Sequence, residues 1–320
     1  MNLSSFQWRS LKTRVTLLTL SIFLISIWSL AFYASRLLRE DMQKLLGEQQ
    51  FSTASVIAQE INDGLTDRMQ ALETIAAEVT PDLLNHPAAL QTLLEQRPLL
   101  QLLFNGGIFA TGPDGTAIAD VPRSAGRIGV NYIDRDSVAL PLRDGKRMIG
   151  RPAMGKKLAA PIFSLTAPLR DAQGKAFGVL VATINLGKPN FIDKATQNSY
   201  GKTGGYLLIA PQHKLFVSAT DKSRIMQPVP APGINAMHDK YMQGYQGFGI
   251  ALSSRGVEEL TAAKGIPAAG WFVVASLPTT EAFAPIAALQ RRMLMITIFL
   301  TLLIGAITWW TTSWLSLIHI

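Results

Sequence analysis

Two long stretches of the chain carry no Asp, Glu, Lys or Arg: Val15–Ser35 (VTLLTLSIFLISIWSLAFYAS) and the run from Met293 to Ile320. Each is long enough to cross a hydrocarbon layer, which takes roughly 20 helical residues. Membrane helices are therefore expected at 15–35 and 293–315. A cleaved signal peptide is the alternative for the first run, but its apolar core is too long and no small-x-small cleavage site follows it. From Leu37 to Val79 the pattern changes. Apolar residues recur at helical spacing (Leu38, Met42, Leu45, Ala54, Ile57, Ile61, Leu65, Leu72, Ala76, Val79), and no Pro intervenes before Pro81. This predicts one helix of roughly forty residues running directly out of the first span. A shorter helix is expected over Pro87–Gln96.

Strand patterns follow. GGIFATGPDGTAIAD (Gly106–Asp120) holds two β-prone runs joined by Pro113-Asp114-Gly115, a strong turn signal. GGYLLIAPQHKLFVSATD (Gly204–Asp221) repeats the plan: a Gly pair, an apolar strand, a Pro-containing turn, and an alternating strand ending in Asp. The two copies lie about 98 residues apart, an internal repeat. More β-prone runs follow each copy, at Ala159–Pro168 and Ala176–Leu186, then at Tyr245–Ser253 and Gly270–Leu277. The fold class is α+β, with two sheet-based modules on one long helix. Gly201-Lys202-Thr203 is the lead-in to the second hairpin rather than a phosphate loop. The Gly that such a loop needs five residues before the Gly-Lys pair is Thr196, and helix and strand come in the wrong order.

Charge sets the orientation. Arg9, Lys12 and Arg14 precede the first span with no acid among them, which keeps the 1–14 arm cytoplasmic and the central region outside. The location expected is a bacterial inner membrane, with the central region periplasmic and the bilayer as a partner. No basic anchor follows the second span, so 316–320 reads as a truncated end. The chain has no Cys and four scattered His, which leaves little support for a thiol or His-based metal site, and no nucleophile–base pair is visible. No cofactor is expected. The net charge of +8 would fit nucleic acid, but the topology places the basic region away from it.

YIDRD (Tyr132–Asp136), IGRPAMGK (Ile149–Lys156), APLRDAQGKAFGVLVATINL (Ala167–Leu186) and GWFVVASLPTTEAFAPI (Gly270–Ile286) resemble the double Cache sensor family, whose modules have a PAS-like fold. With the flanking helices the likeness covers nearly the whole chain. It implies a signalling helix at 36–80, a membrane-distal module at 81–187 and a membrane-proximal module at 188–292. The relatives with the most similar stretches precede GGDEF or GGDEF-EAL domains, the cyclic-di-GMP synthases and phosphodiesterases. Neither motif occurs in this chain, so that activity cannot reside in these residues.

The resemblance also implies a ligand pocket in the distal module. The amino-acid-binding branch of the family clamps a carboxylate with an Arg and an aromatic pair two and three residues on, and holds the ammonium with an Asp near the end of the last strand. Arg135 matches the Arg, but Ser137 and Val138 stand at the aromatic positions and Thr183 at the Asp position. Losing the charged partner of a buried ammonium costs several kcal/mol, which argues against a free amino acid. Between Arg123 and Lys175 eleven basic residues face four acidic ones, so most of the chain's charge excess lies here. Guanidinium groups pair with carboxylate in bidentate fashion. Arg135 and Arg151 are thus the candidate anion ligands, with Tyr132, Lys157, Phe163 and Thr183 as further site residues; a solvated basic loop is the alternative. The function expected is ligand sensing for a transmembrane receptor, with a diguanylate cyclase as output and a homodimer as the assembly. The alternatives are the sensor of a chemoreceptor or histidine kinase, or an exported structural or protein-binding module with no small ligand.

Overall fold

The computed structural model describes residues 11–196, 200–253 and 255–317. Residues 1–10 of the basic arm, residues 197–199 and the last residues 318–320 lie outside them. The elements are, in order, α1 (Leu11–Ala76), α2 (Pro81–Asn85), α3 (Pro87–Glu95), α4 (Pro98–Leu103), β1 (Ile108–Thr111), β2 (Ala117–Val121), α5 (Asp136–Asp144), β3 (Met148–Ile149), β4 (Ala153–Met154), β5 (Pro161–Arg170) and β6 (Ala176–Asn185). There follow α6 (Phe191–Thr196), β7 (Gly205–Ala210), β8 (Leu215–Ala219), α7 (Ala236–Met242), β9 (Gly247–Leu252), β10 (Glu258–Ile266), β11 (Trp271–Pro278), α8 (Thr279–Ala282) and α9 (Ala284–Leu317). The fold is mixed α+β.

The chain divides into two units. One comprises Gly47–Pro278; the other joins Met1–Leu46 with Thr279–Ile320. Two helices among the described residues are long and apolar enough to cross a membrane, within Leu17–Ala76 and Ala284–Trp310. In their unit, Gln290 donates to the Ser35 hydroxyl at 2.8 Å.

The unit Gly47–Pro278 contains two antiparallel sheets. The first has strand order β2-β1-β6-β5-β3, with β4 also paired to β5, and the second has order β8-β7-β11-β10-β9. Both place the second hairpin strand at an edge and the last strand beside the first, so the repeat seen in the hairpins extends to the sheets. Residues 47–76 of α1 serve both. Ile61, Leu65 and Leu72 are buried on its inner face in one continuous core, with Leu165, Leu180 and Ile184 of the first sheet and Leu208, Val217 and Val273 of the second. Gln50, also buried, donates to the carbonyls of Leu260 and Ala275 at 2.9 and 2.8 Å, so its amide nitrogen is satisfied by β10 and β11. The rings of Phe163 on β5 and Trp271 on β11 meet edge to face, 5.1 Å between centroids. Thr80 starts α2 by accepting from the Leu83 N–H at 3.3 Å, four residues past the end of α1.

Three sequence expectations need correcting. The long helix ends at Ala76, so Val79 packs in the core from the following turn. The short helix predicted over Pro87–Gln96 is flanked by two more, each opened by a Pro at its first position. Strand β10 went unrecognised because EELTAAKGI is poor in β-formers, whereas pairing to β9 and β11 on both edges overrides that weak propensity. Gly201-Lys202-Thr203 forms a turn leading into β7, as expected.

Candidate functional site

Strand alternation gives the first sheet two distinct faces. On β6, Leu180, Ala182 and Ile184 enter the core with α1. Val179 and Val181 point the other way, into a second apolar cluster with Phe109, Ala117, Tyr132 and Val138. Phe109 and Tyr132 pack with ring centroids 4.6 Å apart. Above this floor, between α5, the β3–β5 segment and the sheet, lies a cavity of about 540 Å³ counted to its mouth. Small-molecule pockets combine apolar walls with a few placed polar groups.

Tyr132, Arg135, Arg151 and Thr183, all expected from the sequence, line this cavity. Arg135 is the N-cap residue of α5 and makes no side-chain cap bond; its guanidinium donates to the Met154 carbonyl at 3.0 Å. Arg151 follows β3, after a residue that must be glycine. A Cβ on Gly150 would sit 2.6 Å from the Ser164 Oγ and 2.8 Å from the Ser137 Cβ. Thr183 donates its hydroxyl to the Gly107 carbonyl at 2.9 Å, a neutral group already satisfied within the sheet.

Two expected residues sit otherwise. Lys157 is exposed in a turn, and Lys156 lines the cavity in its place. The Lys156 ammonium donates to the Asn131 carbonyl at 2.9 Å, pairs with Asp134 and lies 5.3 Å from the Tyr132 ring centroid. Its hydrogen bond holds the Asp134 carboxyl below the usual range. Phe163 touches the cavity, but its ring is turned away. Ser164 pairs with Thr183 across β5 and β6 on the cavity face, which leaves Phe163 with Ile184 on the core face, fully buried against Trp271.

Sequence reasoning missed Phe109, Asp136 and Ser164. The signal for Ser164 and Phe109 was strand alternation, read from Val181 and Thr183 outward. Asp136 matters more, because it brings a carboxylate to the same rim as Arg135 and Arg151. His213, in the 3-10 turn between β7 and β8, feels both ends of this rim. Burial lowers its pKa first and Arg151 lowers it further, while Asp136 raises it. Below the floor, Arg127 and Asp120 form a buried ion pair at 3.4 Å, and the Arg127 guanidinium lies 5.2 Å from the Phe109 ring centroid. Burial pushes the Asp120 carboxyl up and Arg127 down, each partly offset by the other's charge.

The sequence pattern of the Cache domain matches residues 38–286. The chain belongs to the Cache domain family. No curated protein matches it. Among solved structures it is similar to the ligand-binding domain of the Pseudomonas aeruginosa PAO1 amino acid chemoreceptor PctB in complex with L-Arg, at 21% identity and a TM-score of 0.58, covering 75% of this chain and 97% of that one. The ligand-binding domain of the Pseudomonas fluorescens chemoreceptor CtaA in complex with L-isoleucine is similar at 19% identity and a TM-score of 0.58, over 79% and 99% of the two chains. The sensor domain of the V. cholerae histidine kinase DctB is similar at 16% identity and a TM-score of 0.55, over 74% and 98%. At these identities the likeness establishes the fold.

Proposed function

We propose that this Cache chain is the extracytoplasmic sensing part of a transmembrane receptor, and that the cavity over the first sheet takes a small carboxylate-bearing anion. The observation that carries the reading is the convergence of Arg135 and Arg151 on one apolar-floored cavity, with Lys156 already paired to Asp134. Two guanidinium groups against the one carboxylate of Asp136 leave a positive rim. The first turn of α5 adds the positive end of its dipole, since Asp136, Ser137 and Val138 all contribute to the lining. Each sheet is then one module of a double Cache sensor, 81–187 distal and 188–292 proximal. The two apolar helices span a bacterial inner membrane, and a homodimer gives the signalling helix 36–80 a reference to move against. The motifs shared with proteins that precede GGDEF domains favour a diguanylate cyclase as output.

A second reading follows from one residue. Asp136 can hold an ammonium while the arginines hold a carboxylate, which would make an amino acid the ligand, as in the PctB and CtaA complexes. An organic-acid and amino-acid screen by thermal shift on residues 37–290 tests both. A ligand at a hundredfold excess over its Kd stabilises the fold by about 2.7 kcal/mol. Arg135→Ala should remove that shift while leaving the unliganded protein folded; a shift retained in Arg135→Ala, or no shift across the screen, overturns the assignment.

A further inference from the structure

The second sheet repeats more than the strand order of the first. Thr261 on β10 pairs with Ser276 on β11, as Ser164 on β5 pairs with Thr183 on β6. Leu207 on β7 pairs with Val274, as Phe109 on β1 pairs with Val181. His238 stands three residues after the N-cap Asn235, as Val138 stands three after the N-cap Arg135. Leu207, Thr261, Val274 and Ser276 of the sheet and His238 of α7 line a partly open cavity on the sheet face that carries Ile209, Phe216, Tyr241 and Val274 as an apolar floor.

We infer that this second cavity is a ligand site of its own, built for a small zwitterion of amino-acid type, with Arg224 receiving the carboxylate and Glu259 the ammonium. Arg224 and Glu259 both line the cavity, one cation and one anion over an apolar floor. Neighbouring charges are engaged elsewhere: Arg255 pairs with Asp221 and Lys222 with Asp193. The Arg224 guanidinium lies over the Phe216 ring, 4.3 Å from its centroid. His238 supplies the independent sign of a missing partner. It is 9% exposed, lines the cavity, and its buried Nε2 makes no hydrogen bond. A buried polar atom left unpaired is costly, a loss that a ligand in this space would recover. Burial pushes the Glu259 carboxyl up, partly offset by the charge of Arg224 and a hydrogen bond from Ser276, and burial pushes the Arg224 guanidinium down, partly offset by Glu259. The hydroxyl of Thr261 is already spent, donating to the Gly249 carbonyl at 3.0 Å and meeting the Tyr241 hydroxyl at 3.0 Å. Recognition therefore falls to Arg224, Glu259 and His238.

The test uses the full chain in lipid nanodiscs and the twenty L-amino acids as individual probes, with acetate and methylammonium as single-charge controls. Thermal unfolding and calorimetric titration are the readouts. At least one amino acid should bind the parent and the Arg135→Gln variant alike, while Arg224→Gln and Glu259→Gln each weaken it tenfold or more. Neither single-charge control should bind within tenfold of that affinity. If Arg224→Gln lowers Tm without any probe, Glu259→Gln decides. The inference is overturned if no amino acid binds, if binding survives in the deciding variant, or if Arg135→Gln abolishes it, which would place the ligand in the first cavity. Loss of organic-acid binding in Arg135→Gln concerns the first cavity alone and leaves this result readable.

Discussion

Replacing Phe163 separates two roles that its position in the sequence confuses. Its ring is 0% exposed, faces the α1 side of the first sheet and packs edge to face on Trp271, itself 4% exposed, at 5.1 Å. Truncating a fully buried Phe to Ala costs about 3–5 kcal/mol, of which about 0.5–1.5 kcal/mol belongs to the aromatic pair. A milder Phe163→Leu keeps most of the volume and should cost less than about 1.5 kcal/mol beyond that pair term. Residues 37–290 contain a single tryptophan, Trp271. Urea unfolding of this segment followed by its fluorescence therefore reads the second sheet, while far-UV circular dichroism reads both. Because the two sheets share one core, the two signals should move together and shift to lower urea by the same free energy. A double-mutant cycle of Phe163→Leu with Trp271→Leu, followed by circular dichroism, should give a coupling of about 0.5–1.5 kcal/mol. Ligand affinity of the folded Phe163→Leu protein should stay within twofold of the parent. If Phe163→Leu leaves stability unchanged but abolishes ligand binding, the ring lines the cavity after all and the face assignment is wrong.

Asp136→Asn gives a sign that distinguishes the two ligand readings of the first cavity. Affinity should rise for a simple carboxylate and fall for an amino acid, measured by titration calorimetry. Gly47→Ala should destabilise the protein although Ala gains about 1 kcal/mol in a helix interior, because a Cβ there would lie 2.1 Å from the Phe248 ring. In a Phe248→Ala background the same change should become stabilising, and a loss in both backgrounds would refute the packing argument. Burial is the main cause that lowers the imidazole pKa of His213 and of His238 in the folded protein. As pH falls below about 6.5 the unfolded chain binds protons that these two side chains resist, so their contribution to stability is present above that pH and lost beneath it. Urea midpoints at pH 7.5 and about 5.5 should differ less in His238→Phe than in the parent.

The long helix and the repeated hairpins were legible because their signals are periodic or local. A Pro-free run with apolar residues at helical spacing fixes α1 to within a few residues, and the Gly pairs and Pro turns mark β1–β2 and β7–β8. Strand β10 was not legible, since nothing local in an Ala- and Glu-rich run says that two neighbours will pair with it. In the site, Arg135, Arg151, Tyr132 and Thr183 followed from motif positions. Asp136 and Ser164 did not, because their presence depends on how α5 lies over β5 and β6. Phe163 misled for a related reason: one residue along a strand moves a side chain to the other face. Gly47 was not legible either: nothing local says that the Phe248 ring, distant in sequence, occupies the space a Cβ would take.

The shared core has a thermodynamic corollary. Leu165 and Ile184 of one sheet, Leu208 and Val273 of the other and Leu65 of α1 form a single packed body, with no solvent layer to absorb a shift in either sheet. If two cavities open from the outer faces of that body, occupancy of one must work against the same packing as occupancy of the other. Any factor by which the first ligand changes affinity for the second must then equal the factor by which the second changes affinity for the first. In a receptor built this way, the response to either solute depends on the background level of the other.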